Sequence, residues 1–469
     1  MANNRYDLAV IGSGPGGYEA AIRASQLKMR TCVIERDRPG GVCLNWGCIP
    51  SKSLLNSAET MEIIGGAGKE HGIETGEVRF DFKRVIARSR EAADKLSRGV
   101  RFLFRKNNVE LFEASAAFDG RSGLQLSRSD GKPPAVSAVE ADRILIATGS
   151  RERLFPGMKI GDGMLTSHEA LLYDQVPESV AVIGAGAVGL EFAYFYQAFG
   201  VKVTIIELEK QMLPGFDAEV AEELRRAFLK RKVEVLLGHG YKSAARHGDR
   251  WSVTLDASRQ SKTVEAEMVL VAVGRSPNSD GLGLDKVGVE IERGGFIKID
   301  DSFRTSREGI FAIGDVIRPP LLAHKASAEG IAAVEIMAGV REPGFDLMNI
   351  PGCVYCQPEV ATIGMTEAAA KEAGIEVKVG KFPFRANGKA VAVNHVEGFV
   401  KFVAGKKYGE VIGCQIIGHG ATDLIAEVGL GKTLEATTLE FGRTVHPHPT
   451  LSETIMEAAL AADGEAINF

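Results

Sequence analysis

The sequence predicts an α/β protein: two Rossmann-like βαβ domains followed by a C-terminal α+β domain. Three observations carry that reading. The first is size, because 469 residues are about three times an ordinary domain and too many for one core. The second is an internal repeat. A buried strand, a glycine turn, a helix and a second strand ending in an acid occur twice. Gly12, Gly17, Glu19 and Glu35 recur as Gly184, Gly189, Glu191 and Glu207, each 172 residues later. The third is glycine itself: 54 residues, about 11.5% against a usual ~7%, which implies close backbone approach in many places.

In the first copy, Tyr6–Gly12 reads as a buried strand. Gly12-Ser13-Gly14-Pro15-Gly16-Gly17 is the turn, Tyr18–Leu27 the helix and Thr31–Ile34 the next strand, ending at Glu35. The second copy runs Val180–Gly184, Gly184-Ala185-Gly186-Ala187-Val188-Gly189, Leu190–Phe199 and Val201–Ile206, ending at Glu207. In such a unit the glycines allow a tight turn and bring backbone N–H groups up to a pyrophosphate at the helix N-terminus. The acid, 23 residues beyond the first glycine, can hydrogen-bond an adenosine ribose. Glu207 is followed by Leu208 and Glu209, with Lys210 the only cation nearby. An acid there repels a 2′-phosphate, so the second site should prefer NAD over NADP.

Other segments fill in around the repeat. Residues 53–110 are helix-rich, and 115–147 alternate as a β-meander ending in Arg143-Ile-Leu-Ile-Ala-Thr-Gly149. A matching meander is expected over Trp251–Gly274, and strands with the helices Thr422–Lys432 and Ser452–Ala462 fill the C-terminal part. The expected domains are 1–150, 151–278, a segment 279–345 that completes the first, and 346–469. Gly149 and Gly274 close buried strands, where backbone can lie beside a ligand, and Asp315 ends a strand, where it can bind a polyol.

Composition excludes several classes. With 45% hydrophobic and 25% charged residues, the chain is no disordered tail, coiled coil or collagen-like fibre. A net charge of −5 leaves no basic footprint for nucleic acid or an anionic membrane. No apolar run approaches the ~18 residues of a spanning helix, so no membrane insertion is expected. Met1-Ala-Asn-Asn-Arg5 enters a strand at once, with no room for a signal peptide, which points to the cytoplasm. Six cysteines are too few for a disulfide scaffold and read as reduced thiols unless a local motif says otherwise. Cys353-Val-Tyr-Cys356 has metal-ligand spacing but no second ligand pair nearby; strand packing explains it better, and no metal is expected. Cys32 and Cys414 fall in apolar runs and read as core.

Two motifs carry redox and acid–base chemistry. In Gly40-Gly-Val-Cys43-Leu-Asn-Trp-Gly-Cys48-Ile-Pro-Ser-Lys52, cysteines five apart in an ideal helix have Cα atoms about 8–9 Å apart, beyond the ~7 Å a disulfide spans. They are either two inert thiols or a pair bonded across a turn distorted at Gly47 and Pro50, and such a bond is strained and reducible. Lys52 lies on the helical face of Cys48, where its charge favours the thiolate. In His446-Pro-His448-Pro-Thr-Leu-Ser-Glu453, Glu453 either orients His448 as a base or closes a capping box with Thr450. Glu191 either pairs with Lys52 or faces solvent.

Together these residues resemble the flavin-dependent pyridine nucleotide–disulfide oxidoreductases, and most closely their dihydrolipoamide-oxidising branch. The resemblance spans essentially the whole chain. Its most specific pieces are GGVCLNWGCIPSK at 40–52, LAHKASAEG at 322–330 and HPTLSE at 448–453. It implies FAD held by Gly12, Gly14, Gly17, Glu35, Lys52, Gly149, Asp315 and Ala323, with Lys52 paired to Glu191 beside the flavin. It implies NAD held by Gly184, Gly186, Gly189, Glu207 and Gly274. It also implies a redox-active Cys43–Cys48 disulfide, with Cys43 attacked by substrate and Cys48 released toward the flavin. His448 and Glu453 are implied as the base and its partner, supplied across a homodimer by the C-terminal dimerisation domain. The implied macromolecular partner is a lipoylated carrier protein or the E2 component of a 2-oxoacid dehydrogenase or glycine-cleavage system.

The alternative is another NAD(P)H-dependent FAD disulfide reductase acting on glutathione or a similar small disulfide. Ala187 stands where the glutathione branch has a tyrosine gate, and Leu208 and Pro214 where it has phosphate-binding arginines. A flavoprotein without thiol turnover would need none of Cys43, Cys48, His448 and Glu453. Cys356 stands where the family more often has threonine.

Overall fold

Thr31-Cys-Val-Ile-Glu35 and most of Arg5–Ile11 are buried, as strands covered by helices on both faces must be. In the computed structural model, which describes residues 5–66, 68, 71–120, 123–257 and 262–469, these two strands pair in parallel, Ile11 opposite Ile34. The sheet continues through Glu110–Glu113 beyond Thr31–Glu35, and through Ala138–Ile146 on the other side. Ala138–Ile146 is shared between two patterns. Its first half pairs antiparallel with Gly123–Ser127, which pairs with Ser115–Phe118, while its second half pairs in parallel with Ile310–Ala312. Residues after 300 therefore return to the first sheet. The helix Ala323–Met337 crosses the fingerprint helix Pro15–Gln26 at two glycines: a Cβ on Gly330 would lie 2.4 Å from the Gly16 carbonyl oxygen.

The second repeat builds a separate five-stranded parallel sheet, in the order Glu234–Leu237, Lys202–Glu207, Ser179–Ile183, Met268–Val271, Met164–Thr166. An antiparallel trio, His239–His247, Arg250–Ala257 and Lys262–Ala266, is inserted before Met268. The expected meander thus starts one strand earlier than Trp251, and its last stretch belongs to the parallel sheet. His239–His247 lacks a buried alternation, so hydrophobic periodicity did not mark it. Residues 258–261 and the first four residues of the chain lie outside the described residues. Ser150–Glu152 and Arg275–Pro277 pair antiparallel, so the Gly274 turn also opens the crossing between the two units.

The C-terminal part is a five-stranded antiparallel sheet, Gly352–Val354, Val360–Gly364, Val411–Ile417, Phe399–Gly405, Val377–Pro383. Phe382, Phe402, Ile416 and Val428 are buried in its core. The helix Glu453–Ala462 lies flush on the sheet, where a Cβ on Gly380 would meet the Ala458 carbonyl oxygen at 2.1 Å. Buried Lys401 ties this body to the second, bonding Asp217 at 3.1 Å, Glu219 at 2.7 Å and Glu367 at 3.0 Å. Among the described residues, no helix is long and apolar enough to cross a membrane.

Candidate active site

The redox loop leaves the first sheet after Glu35. A short helix, Gly41–Trp46, ends at Gly47, and a long one, Cys48–Gly65, begins immediately after it. The two cysteines are therefore not held in one distorted helical turn. Gly47 breaks the helix between them, and Pro50 falls in the first turn of the second helix, where a missing N–H costs nothing. Both are free cysteines, close enough to share a hydrogen bond across the break. That bond, joined by the positive charge of Lys52, holds Cys48 below the usual thiol range although burial opposes it. The same bond, together with burial, pushes Cys43 up. The two shifts run in opposite directions, favouring the thiolate at Cys48 over Cys43.

One turn beyond Cys48, Lys52 Nζ sits 2.9 and 3.0 Å from the two oxygens of Glu191. Glu191 is buried, which settles its two readings in favour of pairing. Tyr355 covers the pair. Its ring lies 4.2 Å from Lys52 Nζ, and its N–H donates to Glu191 Oε1 at 3.2 Å. Sequence reasoning missed Tyr355, whose only signal was its place beside Cys356. Cys356 itself is in the core, with its thiol directed at the Pro358 carbonyl at 3.7 Å, and Cys32 and Cys414 are fully buried.

At the glycine turns, Gly12 and Gly184 have φ near +100°, and an added Cβ would strike the Ala147 and Ala272 carbonyl oxygens at 2.4 and 2.3 Å. Gly14 and Gly186 are the N-caps of their helices, carry no capping side chain, and face open space. Unspent N–H groups beside free volume are what a pyrophosphate needs. Glu35 and Glu207 are buried beside them. Glu35 accepts from the Ser13 N–H at 2.9 Å, the Ser13 hydroxyl at 2.7 Å and the Asp37 N–H at 2.9 Å. Glu207 accepts from Ala185 N–H at 2.7 Å and Glu209 N–H at 2.8 Å. Each carboxylate keeps acceptor capacity for a ribose hydroxyl.

Asp315 follows Ile310–Ala312 at the edge of the first sheet and accepts from the Ser150 hydroxyl at 2.6 Å. Gly149 and Gly274 have open space beyond their Cα atoms, and Ala323 begins the helix Ala323–Met337. These residues fit a flavin dinucleotide at the first turn and a nicotinamide dinucleotide at the second.

In the C-terminal domain, His448 Nδ1 lies 2.9 Å from Glu453 Oε1, and Glu453 Oε2 accepts the Thr450 N–H at 2.9 Å. Glu453 therefore serves histidine and turn together. No capping box forms, because the helix starts at Glu453 and the Thr450 hydroxyl donates to the Pro447 carbonyl at 2.7 Å. Burial works against the charged form of Glu453, but the Thr450 N–H and the His448 ring outweigh it and hold the group below the usual carboxylate range. With Nδ1–H turned to Glu453, Nε2 is the free base. The His448 side chain is 77% exposed, whereas that of His446 is 4% exposed and has both nitrogens engaged, by Thr444 and Glu427.

Residues 6–330 match the family described as pyridine nucleotide-disulphide oxidoreductase, and residues 350–459 match its dimerisation domain. The chain belongs to the pyridine nucleotide-disulphide oxidoreductases. Among these oxidoreductases it is 45% identical over 462 residues to the dihydrolipoyl dehydrogenase of Chlorobaculum parvum, covering 98% of this chain and 97% of that one. It is 41% identical to the dihydrolipoyl dehydrogenase of Bacillus subtilis across 99% of both chains. The crystal structure of LpdA from Mycobacterium tuberculosis matches with a TM-score of 0.89 over 97% of this chain and 98% of that one, at 28% identity. Pyridine nucleotide-disulphide oxidoreductases of this kind use FAD and NAD, in keeping with the two turns.

Proposed function

We propose that the protein oxidises dihydrolipoamide to lipoamide with NAD+ as acceptor, through a reversible Cys43–Cys48 disulfide. The observation that carries this reading is that Cys43 and Cys48 flank the helix break at Gly47, with Cys48 one turn from the Lys52–Glu191 ion pair, in a chain that also holds two dinucleotide turns. In the oxidised pair, His448 Nε2 takes the proton of a substrate thiol and Glu453 stabilises the resulting imidazolium. The substrate thiolate attacks Cys43 Sγ, the S–S bond breaks, and Cys48 leaves as a thiolate favoured by Lys52. The second substrate sulfur, once deprotonated, attacks the mixed disulfide. Lipoamide closes and Cys43 is released as a thiolate, which takes up a proton. Bound FAD supplies the two-electron relay from the dithiol to NAD+. The balance is dihydrolipoamide plus NAD+ giving lipoamide, NADH and a proton.

Gly12, Gly14, Gly17, Glu35, Gly149, Asp315 and Ala323 are the proposed flavin contacts. Gly184, Gly186, Gly189, Glu207 and Gly274 are those of NAD. We assign His448 of one protomer to the thiol pair of its partner in a homodimer, since His448 and the 93% exposed Val445 face outward from the domain that matches the dimerisation family. The natural dithiol is carried on a lipoylated protein or E2 component. The other four cysteines, of which Cys32, Cys356 and Cys414 are buried in the core, suit the reducing cytoplasm. The test is to supply dihydrolipoamide with NAD+, and separately glutathione disulfide with NADPH, following absorbance of the reduced nicotinamide. NADH should form in the first assay, with no NADPH consumed in the second. The reverse pattern would assign the chain to glutathione instead.

A further inference from the structure

Lys325 and Glu329, one turn apart on the helix Ala323–Met337, form an ion pair at 2.9 Å with both side chains at most 1% exposed. A buried pair of this kind gives little net stability over apolar residues of similar volume, so its role lies in what else it touches. Both partners reach the same segment. Glu329 Oε2 accepts the Gly314 N–H at 2.9 Å, and Lys325 Nζ donates to the Arg318 carbonyl at 3.0 Å. Between those anchors stands Asp315. Gly314, at φ +74°, is pressed on this helix, where an added Cβ would lie 3.2 Å from that of Ala326. The same helix is locked on the fingerprint helix through Gly330 and Gly16.

We propose that the Lys325–Glu329 pair is a positioning device for the flavin: it straps the turn Gly314–Arg318 at both ends, so that Asp315 is presented to the cofactor at a fixed distance from the glycine turn. Neither residue touches the cofactor; both act through Asp315. The proposal rests on FAD occupying the first turn.

The test is a double-mutant cycle on apoprotein, reading the FAD dissociation constant by flavin fluorescence and the apoprotein melting temperature. K325M/E329Q keeps a neutral acceptor for Gly314 and should bind FAD within about threefold of the parent. K325M/E329M removes both straps and should weaken FAD ~10-fold while the apoprotein still melts cooperatively near the parent temperature. In a D315A background, which is already weakened, K325M/E329M should cause no further loss, a non-additivity that a purely structural role would not produce. Parental affinity in K325M/E329M, or the same loss with and without Asp315, would overturn the proposal. Should K325M/E329M not fold, E329M alone, which removes the Gly314 anchor that K325M/E329Q keeps, decides in both backgrounds by the same criterion. Failure of the parent apoprotein to bind FAD would instead overturn the cofactor reading, and the strap with it.

Discussion

Ser13 and Ala185 occupy equivalent places in two turns that otherwise repeat one another closely. In both, a buried glutamate at the end of the next strand takes the N–H of the residue after the first glycine and a second N–H two residues beyond itself. The difference is a hydroxyl. Ser13 Oγ donates to Glu35 and also receives the Gly40 N–H, which bonds the Ser13 carbonyl as well. The first turn is thereby fastened to the loop bearing Cys43 and Cys48, and Gly41 lies so close that a Cβ on it would be 2.7 Å from Gly14 Cα. The next repeated acids diverge too: Glu19 takes the Ser327 hydroxyl at 2.8 Å, from the helix that covers the first turn, whereas Glu191 takes Lys52. The second turn is also fastened through its backbone, the Ala185 carbonyl accepting the Leu213 N–H at 2.9 Å, but it lacks the hydroxyl, and Val188 and Leu208 beside it are 39% and 67% exposed. One local motif thus supports an enclosed site suited to a cofactor that stays and an open site suited to one exchanged each turnover.

The sharpest way to break this comparison is to fill each turn. A Cβ on Gly17 or Gly189 would lie 2.1 or 2.0 Å from the carbonyl oxygen of Gly12 or Gly184. Gly17→Ala should give protein without yellow colour. Gly189→Ala should stay yellow but lose NADH formation by roughly 100-fold, the scale of an overpacked contact. Flavin absorbance and turnover of the two proteins check this; a yellow, active Gly17→Ala would erase the distinction. Next in size, His448→Gln should slow dithiol oxidation by about 10²–10⁴-fold and spare NADH-to-dye transfer, which uses both nucleotide sites but not the thiol pair. Equal loss in both assays would reject His448 as the base.

Smaller effects probe the link between turn and loop. Because Cys48 is held below its usual range, partly by Lys52, the long-wavelength absorbance of its thiolate beside the flavin should be present above the Cys48 midpoint. It should fade as pH falls through that midpoint. Lys52→Met should move the midpoint upward, and a pH titration showing no movement would remove Lys52 from the account. Smallest of all, Ser13→Ala should cost about 1 kcal/mol in thermal unfolding, as one lost hydroxyl bond does. Ala185→Ser, which offers Glu207 and the Leu213 N–H the same hydroxyl, should change stability by no more than that amount.

Both turns were legible in the sequence because every part of them is locally enforced: a buried strand, glycines that cannot accept a Cβ, and an acid at a fixed distance. The His448–Glu453 contact was legible for the same reason, lying within six residues. What escaped depends on long-range packing. Tyr355, just past the strand Gly352–Val354, meets Lys52 from some 300 residues away, and no local pattern announces such a contact. The Gly47 break was invisible because CLNWGC reads equally as one bent helix or two. The strand His239–His247 is polar and mostly exposed, so only its pairing with Arg250–Ala257 reveals it. Lys325 and Glu329 look like a solvated i,i+4 pair until the fold buries them.

The central claim is that electrons enter at the Cys43–Cys48 pair and leave at the open nucleotide site. It is tested most directly by anaerobic titration of the purified holoprotein with dihydrolipoamide, first without NAD+ and then with it. The account predicts a long-wavelength band that grows stoichiometrically with dithiol and disappears on adding NAD+ as NADH forms. A flavin spectrum indifferent to dihydrolipoamide would contradict it.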